Sequence, residues 1–420
     1  MEYDVIIIGG GPAGLAAAIK LRQSGVQDVI VIERQSELGG IPLQCNHLGF
    51  GWRHLQRLLT GPGYAKKLRE KALGVGVKAL TSTTVLEVNK ELREVATVSP
   101  RGHQKFRAKA LLLATGCRET TRSALLIPGF RSHGIINTSQ AQQFLHQFDT
   151  LPGKRVVVFG SENVGLSAVW ASALHRKKVV AMIEERKHLV GYRSFAMITN
   201  WIRGVTLHTN HTIKRILGQQ KVEGVEIVEL QDDGAWKDDT EKTIECDTLV
   251  FSGRFVPENE LVIKAGITVD SATKGPAVDQ FLHTESPGVF AAGNVLRGVE
   301  PGDIAGMEGE WVAENIARYL RDASTLEGKK LKLTAGPGIK WIMPQTIVMN
   351  GQKTPGFISS LRVQQRQKRC CIKCRDLETG SEIWKSESCS VLRPERRLPH
   401  PIKKLLLPIR QKAIEVSIES

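Results

Sequence analysis

The chain has 420 residues, 41% of them hydrophobic and 24% charged, which excludes a wholly disordered, collagenous or coiled-coil protein and sets an expectation of two or three domains. The formal net charge is +15, with fourteen Lys and Arg against five acids between 362 and 412; no nucleic-acid-binding motif accompanies it, so charge alone does not predict a nucleic-acid partner. No apolar run reaches the roughly 18 residues of a membrane span and the opening lacks a secretion signal, so the expected address is the cytoplasm.

An apolar run at 5–8, a glycine turn, an alanine-rich helical pattern over 12–23 and a second apolar run at 29–32 make a βαβ unit. β-like stretches follow at 78–89 and 108–114. A comparable unit returns at 155–159, with a turn at 160–165, a helical pattern to about 175 and an apolar run at 179–183. Further β-like stretches lie at 222–230 and 248–252. A helix is expected to open near Gly306 and run to Arg321, before a polar linker at 322–330. The expected fold is α/β: two Rossmann-like dinucleotide-binding domains, the second inserted in the first, plus a small β-rich C-terminal domain. The expected boundaries are 1–118 and 246–325 for an FAD-binding domain, 119–245 for an NAD-type domain and 331–420 for the basic C-terminal domain.

Gly9, Gly11 and Gly14 stand between a strand and a helix, and Glu33 lies nineteen residues beyond the last of them, at the end of the next strand. In such a fingerprint the first glycine makes the tight turn, the second lets the backbone approach a pyrophosphate and the third permits close helix packing. Glu33 would take a ribose hydroxyl pair. FAD and NAD both fit this pattern, and remote segments decide between them. Residues 111–116 form an apolar strand ending in Ala114-Thr115-Gly116, and residues 286–294 form another ending in Gly293-Asn294.

With these segments the chain resembles the pyridine nucleotide-disulfide oxidoreductase superfamily of flavoproteins. The resemblance implies FAD, held by Gly9, Gly11, Pro12, Ala13, Gly14, Glu33, Arg34, Gly40, Val85, Thr115, Gly116, Gly293, Asn294 and Met307. As in those relatives, the helix opening near Gly306 would aim its N-terminus at the flavin pyrimidine ring, where its dipole favours negative charge. One branch of the superfamily places a cysteine pair just after the Gly-Gly that follows the ribose carboxylate. Here those two slots are Pro42 and His47, and residues 134–143, where the thioredoxin reductase branch carries Cys-x-x-Cys, contain no cysteine. Disulfide reduction is therefore not expected. Residues 39–51 and 59–65, with Gly116-Cys117-Arg118-Glu119, Ile127-Pro128-Gly129 and Ala141-Gln142, look like a narrower group of bacterial FAD-dependent oxidoreductases. Members accompany glycerol-3-phosphate dehydrogenases and are similar to the FAD subunits of opine and amino-acid dehydrogenases and of hydrogen cyanide synthase.

The resemblance leaves three functions open: a dehydrogenase or dehydrogenase subunit moving a hydride or electrons between a small metabolite and an acceptor, an NADH-dependent reductase feeding a partner protein, and a noncatalytic FAD-carrying subunit. The partners these readings leave open are a small-molecule substrate and a partner dehydrogenase or electron-transfer subunit. Cys45 and His47 lie where relatives bring side chains to the isoalloxazine ring, His47 as a candidate acid or base and Cys45 as a flavin neighbour; both are also read as simply shaping the pocket.

Four features depart from the relatives or remain open. Glu162 replaces the middle glycine of the second fingerprint, so NAD binding there stays open; Glu184 and Glu185 would favour NAD over NADP. Thr138-Ser139-Gln140 and residues 297–303 also differ from the subgroup, so substrate specificity does not transfer. Cys370, Cys371, Cys374 and Cys389 contain one Cys-x-x-Cys, but an incomplete metal spacing; buried strand cysteines are expected, with 370 and 374 on one face and 371 on the other, and no metal. Residues 403–410 mix cations with apolar side chains, which reads as a solvated basic edge or as a contact with a membrane surface or acidic partner.

Overall fold

The computed structural model describes residues 2–191, 204–298, 300–349, 360–386, 389–392, 398–399 and 411–419. The first sheet runs in the order Lys78–Leu80, Val29–Ile32, Glu2–Ile8, Gly102–Leu113, Glu94–Ser99 and Thr84–Asn89, with Val289–Ala291 also on Gly102–Leu113. Its central pairings are parallel, and the long strand Gly102–Leu113 joins them to an antiparallel meander. Helix α1 (Pro12–Gln23) is buried over Ala13–Leu21 apart from one polar residue. Its small side chains permit that enclosure: a Cβ on Gly14 would collide with the Gly9 carbonyl. Helix α2 (Gly61–Gly74) packs beside α1, with the Thr60 hydroxyl accepting the Gly63 N–H at its start.

The second sheet is parallel throughout, in the order Ile135–Asn137, Thr248–Phe251, Arg155–Phe159, Lys178–Glu184 and Thr206–Thr209. Helices α3 (Thr138–Phe148) and α4 (Asn163–Leu174) pack together beside it, and a three-stranded antiparallel sheet, His211–Leu217, Gly224–Glu229 and Lys242–Glu245, covers the opposite face. The expected boundary at 246 is corrected by this arrangement. Thr248–Phe251 lies inside the second sheet, and the chain crosses back at Phe255–Pro257, which pairs antiparallel with the outgoing strand Cys117–Glu119.

The short helix α5 (Glu260–Lys264) follows the crossing, and the long helix α6 (Gly302–Arg321) closes the first fold against α1. Gly309 makes that approach possible, since a Cβ there would strike the Ala13 backbone. A short turn, Ala323–Leu326, then leads to a C-terminal body whose first strand, Lys329–Ala335, begins two residues before the expected domain start at 331. Its larger sheet runs Thr346–Met349, Lys329–Ala335, Ala413–Glu419, Gln367–Asp376 and Glu382–Lys385, with Cys389–Leu392 also on Gln367–Asp376. Cys370, Ile372 and Cys374 are buried on one face and Cys371 is half-buried on the other, as the strand period requires. Among the described residues no group of His, Cys, Asp and Glu could hold a metal ion. The basic stretch 403–410 lies outside the described residues.

Candidate functional site

The first glycine turn is built as the fingerprint requires. Gly9 has φ +108°, and a Cβ there would collide with the Ala114 carbonyl, so a side chain is excluded by both conformation and space. Gly11 is the N-cap of α1, and nothing lies nearer to its ideal Cβ position than the Gly40 Cα at 3.9 Å. Pro12 opens the helix without leaving a backbone donor unused. Glu33 is buried; its Oε2 accepts the Gly10 N–H at 2.7 Å and its Oε1 accepts the Gln35 N–H at 2.8 Å. At the neighbouring strand end, the Thr115 hydroxyl donates to the Glu258 carbonyl at 2.7 Å, the Gly116 carbonyl accepts the Glu258 N–H, and Arg34 lies 3.8 Å from the Glu258 carboxylate. Val85 is half-buried at the start of the meander. A Cβ on Gly293 would lie 2.7 Å from that of Ala13, which ties the late strand to α1. The structure thus assembles Gly9–Gly14, Glu33, Arg34, Thr115, Gly116 and Gly293 around the carboxyl ends of one sheet, with open space over Gly11. The residues fit FAD.

The helix expected near Gly306 instead opens at Gly302, behind Pro301. Gly302 and Gly306 supply a face without side chains, onto which Phe50, Tyr64 and His54 pack. Asp303 in the first turn accepts the Gly51 N–H at 2.6 Å and the Arg53 N–H at 3.0 Å, tying the 51–53 loop to the helix start, where the dipole favours an acid. Met307 is partly exposed one turn later. The Asn294 side chain spans its own loop, donating to the Glu300 carbonyl and accepting the Glu300 N–H.

Cys45 and His47 sit where the first fold meets the second. The Cys45 thiol lies 3.7 Å from Gln142 Oε1 on α3 and 3.5 Å from the Ile41 carbonyl, and burial pushes its pKa up to about 12, so the group is a thiol and not a thiolate at neutral pH. His47 Nδ1 lies 2.9 Å from the Leu48 carbonyl and Nε2 2.8 Å from the Ser167 hydroxyl on α4. Burial lowers its pKa below the ordinary value. The Leu48 carbonyl can only accept, so neutral His47 carries its proton on Nδ1, and the single proton of the Ser167 hydroxyl is shared between Nε2 and the Asn163 carbonyl at 2.9 Å. Gln140, flagged as a departure from the subgroup, closes a capping box with Asn137 at the start of α3.

One cluster escaped the sequence reading. Arg297 is fully buried, ion-paired with Glu308 on α6 and 3.6 Å from Glu300, while Arg362 of the C-terminal body reaches Glu300 at 2.6 Å. Both guanidinium groups lie over the Trp341 ring, at 5.5 and 5.3 Å from its centre. The cluster couples the loop after Asn294 to the C-terminal body. Its local signal was the departure at 297–303, which holds Arg297 and Glu300.

In the second fold Glu184 Oε2 accepts the Ser161 N–H at 3.0 Å and the Ser161 hydroxyl at 2.6 Å, and its Oε1 accepts the Arg186 N–H at 2.9 Å. Glu185 pairs with Arg254 at 2.9 Å and accepts from Thr212 at 3.0 Å.

Two dinucleotide folds in one chain, one with an open glycine turn, define a flavoprotein oxidoreductase. Residues 3–309 match the family model described as pyridine nucleotide-disulphide oxidoreductase, and the chain belongs to that family. It is similar to ferredoxin–NADP reductase 3 of Lysinibacillus sphaericus, at 26% identity over 70% of this chain and 82% of that one. It is also similar to hydrogen cyanide synthase subunit HcnB of Pseudomonas protegens, at 25% identity over 75% of this chain and 70% of that one. Its fold is shared with a thioredoxin reductase of T. acidophilum, with a TM-score of 0.62 and 24% identity over 76% of this chain and 98% of that one. The protein is an FAD-dependent oxidoreductase, and its family uses FAD and NAD(P).

Proposed function

We propose that this chain is an FAD-dependent dehydrogenase, or the flavin subunit of one, moving a hydride or electrons between a small organic metabolite and an acceptor without a redox disulfide. The observation that carries this reading is the thiol inventory beside the candidate flavin site. Pro42 and His47 occupy the slots of the cysteine pair, α3 begins without cysteine, and Cys45 is buried with its pKa near 12. The likeness to a hydrogen cyanide synthase subunit supports the metabolite class.

In this reading residues 1–118, and the return segment from the 255–257 crossing to 325, hold FAD, with 119 to about 251 as the second nucleotide domain. Gly9, Gly11, Pro12, Ala13 and Gly14 cradle the pyrophosphate and Glu33 takes the ribose. Arg34, Gly40, Val85, Thr115 and Gly116 line the adenosine half; Gly293, Asn294 and Met307 border the flavin half. When bound, FAD supplies a two-electron acceptor for hydride. His47 presents an imidazole whose Nε2 faces the Ser167 hydroxyl, so it takes a substrate proton only after that contact opens. Gln142 and Ser167 fix the loop that carries Cys45 and His47. No helix among the described residues is long and apolar enough to cross a membrane, and a cytoplasmic address belongs to this reading.

A second reading, an NADH-dependent reductase serving a partner protein, is favoured by Glu184, which repeats the bonding of Glu33. Anaerobic titration of the yellow protein separates the two. Bleaching by hydroxy or amino acids is expected; bleaching by NADH alone supports the reductase, and bleaching by neither supports a noncatalytic flavin subunit.

A further inference from the structure

A bulge sets one lysine of the C-terminal body apart from its strand. Ile339–Met343 pairs antiparallel with Ser360–Val363; Ile339 lies opposite Val363 and Trp341 opposite Arg362, which leaves Lys340 as one residue more than the partner strand can match. A strict period of two would put Ile339 and Trp341 on one face. They instead enter different cores, Ile339 that of the C-terminal body and Trp341 that of the first fold. The bulge therefore turns the strand over at Lys340 and re-aims that side chain.

Lys340 arrives among cations. Desolvation holds its ammonium below the usual lysine range, and repulsion by Arg362 and by Arg186 of the second fold adds to the effect. Arg297 is matched by Glu308 and Arg362 by Glu300. Among the described residues, neither Lys340 nor Arg186 has a carboxylate within ion-pairing distance. Arg186 acts instead on Glu162, the N-cap of α4. The Glu162 carboxyl group fills the crevice between the ends of strands Arg155–Phe159 and Thr248–Phe251: Oε1 is 2.5 Å from where a Cβ on Gly253 would sit, and Oε2 is 2.7 Å from the same point on Gly160. Burial pushes its pKa up to about 7, so it returns only part of a charge at neutral pH. Two cations from separate parts of the chain are thus brought close with less than one charge to balance them.

Their position ties them to the flavin half. Arg362 bonds Glu300, whose backbone N–H and carbonyl are both held by the Asn294 side chain. Lys340 and Arg186 are both exposed, so a solute reaches them from water.

We propose that the gap between Lys340 and Arg186, beside Arg362, receives the anionic end of the metabolite that the flavin oxidises, a carboxylate or a phosphate ester. This rests on the dehydrogenase reading and narrows its substrate class to small anions. Like charges held together repel, and a bound anion relieves that repulsion while an uncharged metabolite does not, so the same pair supplies affinity and selectivity.

Calorimetric titration of the full FAD-loaded chain at low ionic strength tests it, with oxalate and inorganic phosphate as probes. Saturable binding of at least one is expected; tighter oxalate marks a carboxylate and tighter phosphate a phosphate ester. Lys340→Met and Arg186→Met, both at exposed positions, should each weaken the preferred anion about tenfold, the loss of one charge-assisted contact, with unchanged flavin content. Lys105→Met, at an exposed lysine on the antiparallel meander, should change nothing. No saturation by either anion at millimolar concentration, an unchanged affinity in Lys340→Met, or an equal loss in Lys105→Met would each overturn the proposal. Substrate bleaching reports on the underlying reading separately. Bleaching by an anionic metabolite that keeps its KM in Lys340→Met removes this site and leaves the dehydrogenase, whereas anion binding with no bleaching by any hydroxy or amino acid removes the dehydrogenase reading and leaves an anion site.

Discussion

Glu33 and Glu184 hold their turns alike: each offers Oε2 to the N–H following the first glycine of its turn and Oε1 to the N–H two residues beyond itself. The two folds thus share an anchored carboxylate at the sugar end, and they part company at Gly11 and Glu162, where one turn is open and the other filled.

That correspondence makes the first prediction asymmetric. Glu33→Gln places an amide where two backbone donors converge, and losing a charge-assisted bond costs about 1.5–3 kcal/mol. FAD affinity should fall at least tenfold, read as flavin absorbance remaining after dialysis. Glu184→Gln should leave flavin content at the wild-type level, because its turn serves the other fold. Equal flavin loss in both variants would contradict the assignment.

Arg297 is predicted to be a stability residue. Arg297→Met leaves Glu308 and Glu300 buried with fewer cations, and breaking a buried pair costs about 3–5 kcal/mol. Thermal unfolding should shift down strongly, and the double variant Arg297→Met with Glu308→Leu should recover much of the loss. A double variant as unstable as the single one would refute a charge-based cause.

The Arg297 cluster also shows where sequence reading stops. Gly9, Gly11, Gly14 and Glu33 were legible because the turn is local and its constraints act on backbone conformation, which a spacing records. Arg297 and Arg362 are 65 positions apart in the sequence, and His47 and Ser167 are 120 apart; no periodicity announces such meetings. Helix α6 was placed four residues late because Gly302 and Gly306 are poor helix formers, although here they are needed for Phe50, Tyr64 and His54 to approach. Gln140 closes the cap that Asn137 opens three residues before it, a local signal of a helix start.

His47 links that contact to pH. Its folded pKa lies below the ordinary value near 6.5 because of burial, so well above pH 6.5 both folded and unfolded states are neutral and the group is silent. Below it the unfolded chain binds the proton more readily, and stability is lost as pH falls through 6.5 towards the folded pKa. Limited proteolysis of the 41–50 loop should accelerate between pH 7 and pH 5, and His47→Gln should flatten that dependence. An identical profile in the variant would place the acid sensitivity elsewhere.

Glu162 carries the opposite sign. Burial, reinforced by Glu184, raises its pKa from 4.5 to about 7, so between these values the folded state binds the extra proton. Filling the crevice is therefore least costly in acid; the cost grows as pH rises from 4.5 and is complete above 7, with a ceiling of about 3 kcal/mol for a shift of that size. Glu162→Gln keeps the shape and removes the charge. The variant should match the wild type near pH 5 and melt at a higher temperature at pH 8, by an amount corresponding to roughly 1–3 kcal/mol. If the two proteins melt together at both pH values, the carboxylate is solvated when ionised, and the crevice opens far more easily than its packing against Gly160 and Gly253 implies.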